Sequence, residues 1–295
     1  MKHLAFLFSI LALSAAMGTA RAEGTKRDDS ASEKLGIKLS LQCYTYRAIS
    51  FFETVDKAAA MGIKYLEIYP GQKLSPASPT TKVDSKLTDS AIEDIKKKLA
   101  DAGGLKLVAF GVTGIPPDEK GAREMFEFAK KMGIEVLVTE VTPTEMHDKL
   151  CTEFNIKMAL HNHPQSWPPE KVLSATKDRC KLIGSCSDTG HWMRRGWVPV
   201  EQFKKLEGRV LHSHFKDLND FGPLELKPGE KNPGQHDLPW GTGKGDAAGM
   251  LAELKRQNYH GYTSIEYETG TVKDLDENLP KCIAFYDKTL TELAK

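Results

Sequence analysis

From Lys38 to Leu293, eight short strand-prone runs alternate with eight amphipathic stretches, and that alternation constrains the fold more than any single motif. The runs are Lys38–Tyr44, Tyr65–Tyr69, Leu105–Phe110, Glu135–Glu140, Lys157–His161, Leu182–Asp188, Val210–Lys216 and Tyr262–Tyr267. Helical patterns follow them near Phe51–Met61, Asp89–Ala102, Glu119–Met132, Glu145–Phe154, Pro169–Lys177, Pro199–Leu206, Ala247–Gln257 and Val272–Leu293. Several helix-to-strand joints carry Gly or Asn, as in Met132-Gly133-Ile134 and Asn155-Ile156, where a left-handed residue lets a helix stop and turn. Strands separated by helices pair in parallel, and eight such units predict an α/β fold, a single-domain (β/α)₈ TIM barrel. A doubly wound open sheet is the alternative. No Gly-x-Gly-x-x-Gly follows the first strand, which counts against its dinucleotide-binding form.

The remaining residues sort by composition. Lys2 and His3, an apolar run from Leu4 to about Met17, and Ala20-Arg21-Ala22 read as a signal peptide over residues 1–22. Residues 23–36 read as a polar tether, and residues 37–295 as the barrel. The expected product is exported, periplasmic or secreted, with no membrane span once the signal is cleaved. Losing Lys2 and Arg21 takes the formal charge from +1 to −1, which offers no electrostatic footprint for nucleic acid. Five cysteines, at 43, 151, 180, 186 and 282, lack zinc-ribbon spacing; Cys180 and Cys186 are the candidate pair in an oxidising compartment, and buried free thiols the plainer reading.

Strand parity then sorts the polar residues. Alternate residues of a barrel strand face the interior, so His212, His214 and Lys216 share one face of their strand, opposite Leu211, Ser213 and Phe215. Glu67, Glu140, Asp188 and Glu266 fall at or near strand ends, and His161 and His163 share a face at the end of the fifth run. Barrel active sites form at that C-terminal rim. His, Asp and Glu together make a mixed nitrogen and oxygen site for one divalent metal, with Mn, Co or Zn favoured over Mg by the imidazoles. All four tryptophans, 167, 192, 197 and 240, follow the fifth, sixth and seventh strands, so a flat aromatic platform for a sugar is expected there, with Trp192 and Trp240 as candidates.

Asp188-Thr-Gly-His191, His214-Phe-Lys216-Asp217, His236-Asp-Leu-Pro-Trp-Gly-Thr-Gly243 and the Glu266 strand together resemble the xylose isomerase-like barrels, which include ketose 3-epimerases, inosose dehydratases and endonuclease IV. The resemblance runs from about Ile37 to the C-terminus. It implies that the metal is held by a fifth-strand acid, Asp188, His214 and Glu266. In the epimerases that acid is a glutamate that also moves a proton; here Leu160-His161-Asn162-His163 puts His161 in its place. Glu140, at the adjacent strand end, is the carboxylate that could replace it as ligand or base. The endonuclease branch needs further histidines on the second and third strands, and this chain has none there.

The chemistry this implies is proton abstraction next to the carbonyl of a small carbohydrate, through an enediolate. Glu140, His161, His163 and Glu266 are the candidate acids and bases, and Lys216 the candidate for neutralising an oxyanion or hydrogen-bonding a hydroxyl. Glu67, His191, His236, Trp192 and Trp240 are the candidate substrate contacts. Reprotonation makes an isomerase or epimerase; loss of a β-substituent makes a lyase or hydratase acting on 3-keto-glycosides. A carbohydrate-binding barrel without turnover is the non-enzymatic alternative. The outer helices leave room for a homodimer.

Overall fold

The computed structural model describes residues 27–163, 166–222 and 234–295. The signal segment and the first residues of the tether lie outside these, as do positions 164–165 and 223–233. Within residues 23–36, Ser30–Leu35 form a short helix, α1, so this part is folded rather than a free tether. Ser32 Oγ donates to the Ile37 carbonyl at 2.6 Å, and Arg27 pairs with Asp287 on the last helix at 2.5 Å.

Eight parallel strands close into a barrel. In chain order they are β1 (Ile37–Gln42), β2 (Tyr65–Ile68), then, after an antiparallel hairpin of β3 (Lys73–Ser75) and β4 (Ser78–Lys82), β5 (Lys106–Thr113), β6 (Val136–Thr139), β7 (Lys157–His161), β8 (Ile183–Asp188), β9 (Val210–Phe215) and β10 (Gly261–Ile265). Each barrel strand pairs with the next, and β10 pairs with β1 from Ile37↔Gly261 to Leu41↔Ile265. The open-sheet alternative is therefore ruled out by the closure itself. The eight expected runs and the eight strands coincide to within a few residues.

The crossovers are α2 (Phe51–Ala60), α3 (Asp89–Asp101), α4 (Glu119–Met132), α5 (Glu145–Phe154), α6 (Pro169–Thr176), α7 (Thr189–Arg194) with α8 (Pro199–Lys205), α9 (Ala247–Arg256) and α10 (Val272–Leu293). Their ends follow local chemistry. Ser50 and Glu53 form a reciprocal capping box on α2. Gly133 at φ 76° and Asn155 at φ 53° end α4 and α5 in the left-handed region. Outward strand residues such as Leu41, Leu66, Phe110, Leu137 and Phe215 pack beneath the helices in one continuous core. The interior divides instead into an apolar arc of Ala109, Val136, Val138, Ala159 and Cys186, and a polar arc carried by β1, β2, β9 and β10. No helix among the described residues is long and apolar enough to cross a membrane.

Candidate active site

Glu67 projects from β2 into the barrel with no exposed surface. Its Oε1 accepts from His214 Nε2 at 2.8 Å; its Oε2 accepts from His212 Nε2 at 2.7 Å and from Ser264 Oγ at 2.9 Å. Burial alone would raise the Glu67 carboxyl, but His214 and His212 reverse this and hold it well below the ordinary carboxylate range. With Nε2 committed to Glu67, the far nitrogen of His214, Nδ1, is left facing Glu266 Oε2 at 3.2 Å and Asp188 Oδ2 at 4.0 Å. Burial opposes a charge on this ring, while Cys186, Glu67 and Glu266 favour one, and its pKa lies well above the usual histidine value. Binding a cation at Nδ1 would displace that proton.

Above Glu67, His161, Asp188, His214 and Glu266 each present a ligand atom within 4.8 Å of the others. Backbone clamps hold them. The Asn162 side chain bonds both the amide and the carbonyl of Asp188, at 2.7 and 2.9 Å. The Thr189 hydroxyl bonds the carbonyl and amide of Lys216 in the same way, at 2.8 and 2.7 Å. His161 Nε2 lies 3.5 Å from Asp188 Oδ2 and its Nδ1 3.5 Å from Glu140 Oε1. Both His161 nitrogens and His214 Nδ1 are buried without a hydrogen-bond partner. Buried polar atoms left unpaired beside carboxylates are what a divalent cation would satisfy, so the donor set fits a metal. Glu67 below His214 stands where an outer carboxylate would fix that imidazole if it bound a metal.

Lys216 stands beside this set with no exposed surface. Its Nζ contacts Asp188 Oδ2 at 2.8 Å, Glu266 Oε2 at 2.6 Å and Glu268 Oε2 at 3.1 Å. Burial works against its charge, but the three carboxylates overcome that and raise its pKa well above the ordinary lysine value. Lys216 therefore neutralises the cluster, and it is not among the residues that line the cleft above it.

The cleft over the cluster encloses about 340 Å³. Tyr44, Tyr69, Pro70 and Val112 form one wall, and His161, His163, His191, Glu266 and Glu268 the other. The rings of Tyr44 and Tyr69 meet edge to face at 5.2 Å. At the rim His163 Nδ1 contacts the Glu140 carboxylate. Burial raises the Glu140 carboxyl, but the neighbouring His161 and His163 rings win and leave it below the usual value. Glu268, opposed by burial but held by Lys216 and Arg194, is pulled down to about 2 and stays ionised.

The structure thus brings together His161, Asp188, His214, Glu266, Glu140, His163 and His191. It moves several expected substrate contacts elsewhere. Glu67 is sealed beneath the histidines. Trp192 is buried against Phe203, with ring centroids 5.2 Å apart, and Trp240 lies between Phe215 and Tyr286 at 4.7 and 6.4 Å. Trp167 is buried too, its indole N–H donating to the Glu140 carbonyl at 3.0 Å. These rings pack loops onto the barrel; the aromatic wall is Tyr44 and Tyr69 instead. His236 is exposed and absent from the cleft lining. Cys180 and Cys186 are both free, and Cys186 faces the barrel interior, away from any partner on the surface. Sequence reasoning missed Tyr44, Tyr69, Arg194 and Glu268, and also Gln42, which lines the cleft with its side-chain amide donating to the Gly111 carbonyl at 3.0 Å. Only Glu268 carried a signal, standing two residues beyond Glu266 and hence on the same face.

Comparison with known proteins is consistent with this geometry. The family described as xylose isomerase-like TIM barrel matches residues 55–288. An inosose dehydratase of Clostridium botulinum is 29% identical over 132 residues, 41% of this chain and 43% of that protein. The chain therefore matches less than half the length of that curated relative. Among solved structures, an uncharacterised protein from Parabacteroides distasonis superposes with a TM-score of 0.66 at 29% identity, over 86% of this chain and 99% of that one. The IOLI protein, solved with a bound zinc atom, superposes with a TM-score of 0.60 at 18% identity, over 86% and 98%.

Proposed function

This chain belongs to the xylose isomerase-like TIM barrel family, and from that premise we propose that it is an exported, divalent-metal-dependent enzyme that eliminates a β-substituent from a keto-sugar. The observation that carries the reading is the pairing of an ion-ready cluster with an imidazole–carboxylate dyad, His163–Glu140, on one cleft. His161, Asp188, His214 and Glu266 would hold the ion. When bound, it supplies a Lewis acid for the substrate carbonyl and a neighbouring hydroxyl.

The residues do the rest. Tyr44 and Tyr69 offer the apolar face on which a sugar ring lies, while the histidine wall meets its hydroxyls. Glu140 accepts the Nδ1 proton of His163, so His163 Nε2 is free to take the proton next to the carbonyl. The C–H pair becomes the new double bond as the β-oxygen leaves, and the imidazolium returns its proton to that oxygen. Substitution of the epimerase glutamate by His161 favours this outcome over epimerisation, since His161 lies between Asp188 and Glu140 in the cluster rather than free to shuttle a proton. The partial likeness to an inosose dehydratase supports elimination as well.

The test is proton NMR in D₂O with the Mn²⁺- or Co²⁺-loaded protein, ketoses and a 3-keto-glucoside, and an EDTA control. Metal-dependent release of the β-substituent supports the lyase. Deuterium incorporation without release makes the protein an epimerase. No exchange with any ketone moves the reading to carbohydrate binding.

A further inference from the structure

Arg194 closes α7 and reaches back one turn to His191. Its NH1 lies 3.3 Å from His191 Nδ1, and its NH2 pairs with Glu268 Oε2 at 2.9 Å. A guanidinium has N–H donors and no acceptor, so His191 Nδ1 must be the accepting atom. The single proton of the neutral ring then sits on Nε2. That nitrogen is 3.6 Å from Asp188 Oδ2, and His191 is one of the residues lining the cleft.

His163 is held the opposite way. Its Nδ1 faces the Glu140 carboxylate, which only accepts, so Nδ1 carries the proton and Nε2 the lone pair. The two rings are neighbours, tilted 53° to each other with centroids 5.0 Å apart. We propose that Arg194 is a positioning residue that locks His191 in its Nε2–H tautomer, so that the cleft presents an unlike pair: His163 as proton acceptor and His191 as hydrogen-bond donor to a substrate oxygen. Glu268 serves this arrangement by holding the other arm of the guanidinium, with Lys216 on its far side. The tautomer follows from the contacts alone; its use in catalysis rests on the proton-transfer reading above.

The experiment is long-range ¹H–¹⁵N correlation of histidine-labelled, zinc-loaded full-length protein, with His191 assigned by its loss in His191→Asn. In the wild type, Nδ1 of His191 should resonate in the pyridine-like region and Nε2 in the pyrrole-like region. Arg194→Met, which removes the donor, should move Nδ1 toward the pyrrole-like region, while Arg194→Lys, whose ammonium still donates, should restore the wild-type pattern. A pyrrole-like Nδ1 in the wild type, or an unchanged spectrum in Arg194→Met, overturns the proposal. Should Arg194→Met not fold, the wild-type spectrum decides by itself. For catalysis, Arg194→Met should lower kcat by about a hundredfold, the scale of losing one aligned donor, with KM changed far less and Arg194→Lys recovering most of it. An unchanged kcat with a shifted tautomer overturns the catalytic half. If the wild type turns over no ketone, the proposed activity fails while the spectrum still judges the tautomer.

Discussion

Replacing Glu67 by glutamine removes one acceptor oxygen and one negative charge from beneath two histidines. The wild-type carboxylate accepts three hydrogen bonds, from His214 Nε2, His212 Nε2 and Ser264 Oγ. A glutamine oxygen can take the place of one carboxylate oxygen, but its NH₂ then faces an imidazole N–H, donor against donor. Two relaxations are open. Either the mismatch stays, leaving a buried donor unpaired beside lost charge, at a cost of about 3–5 kcal/mol. Or His214 changes tautomer to accept from the amide, which puts its proton on Nδ1 and takes that atom out of the ligand set. The second route lowers metal affinity by about 10–100-fold, as for other carboxylates behind ligating histidines. Urea unfolding with EDTA reads the first cost, and competition with a chromogenic chelator reads the second. Wild-type stability and wild-type affinity together in Glu67→Gln would refute the assignment of Glu67 as the support for the cluster.

Three further outcomes follow from the same geometry. Lys216→Met leaves Asp188, Glu266 and Glu268 without their shared cation, so the metal-free protein should lose about 3–5 kcal/mol by urea unfolding, and added divalent metal should recover part of it. Trp240→Ala should cost about 3–5 kcal/mol of stability, as a core ring does, and Tyr69→Ala should raise KM while leaving stability nearly unchanged; the reverse pattern would restore a sugar platform to Trp240. Burial, with Glu268 adding to it and Lys216 and Arg194 resisting, raises the Asp237 carboxyl from 3.8 to about 6. Because the folded state then holds this proton more tightly than the unfolded chain, the contribution is complete below about pH 3.8 and is lost as pH rises through about 6. Asp237→Asn should flatten the stability profile over that window, and an identical profile in both proteins would count against the shift.

Alternation of period two and of helical period carried the fold, because every barrel strand is followed by a crossover that leaves both signals in the chain. The elements that escaped were those without a period. Ser78–Lys82 is polar and mostly exposed, so β4 shows no apolar alternation. Thr189–Arg194 spans only six residues and hides inside the Asp-Thr-Gly-His motif whose Asp188 caps it. Parity placed His212, His214 and Lys216 together inside the barrel, yet could not tell how deep each would sit. Glu67 and Lys216 share that interior but are not among the residues lining the cleft, and depth depends on strand stagger, which one sequence does not display. The tryptophans failed for a related reason. Position after a strand assigns a residue to the active face of the barrel but not to the inner or outer side of its loop, and Trp240 turns outward onto α10. Tyr44 and Tyr69 carried no flag at all, since a tyrosine at a strand end has the same pattern whether it packs or waits for a ligand.

The clasp of Arg27 onto Asp287, with Lys34 reaching the carbonyl of Ala294, fixes both ends of the described chain at the same pole of the barrel, below the start of β1 and opposite the cleft. Anything joined after Lys295 leaves from that pole. A tag or fused partner attached after Lys295 would therefore sit on the side away from the cleft, leaving the mouth open to a substrate diffusing in from solution.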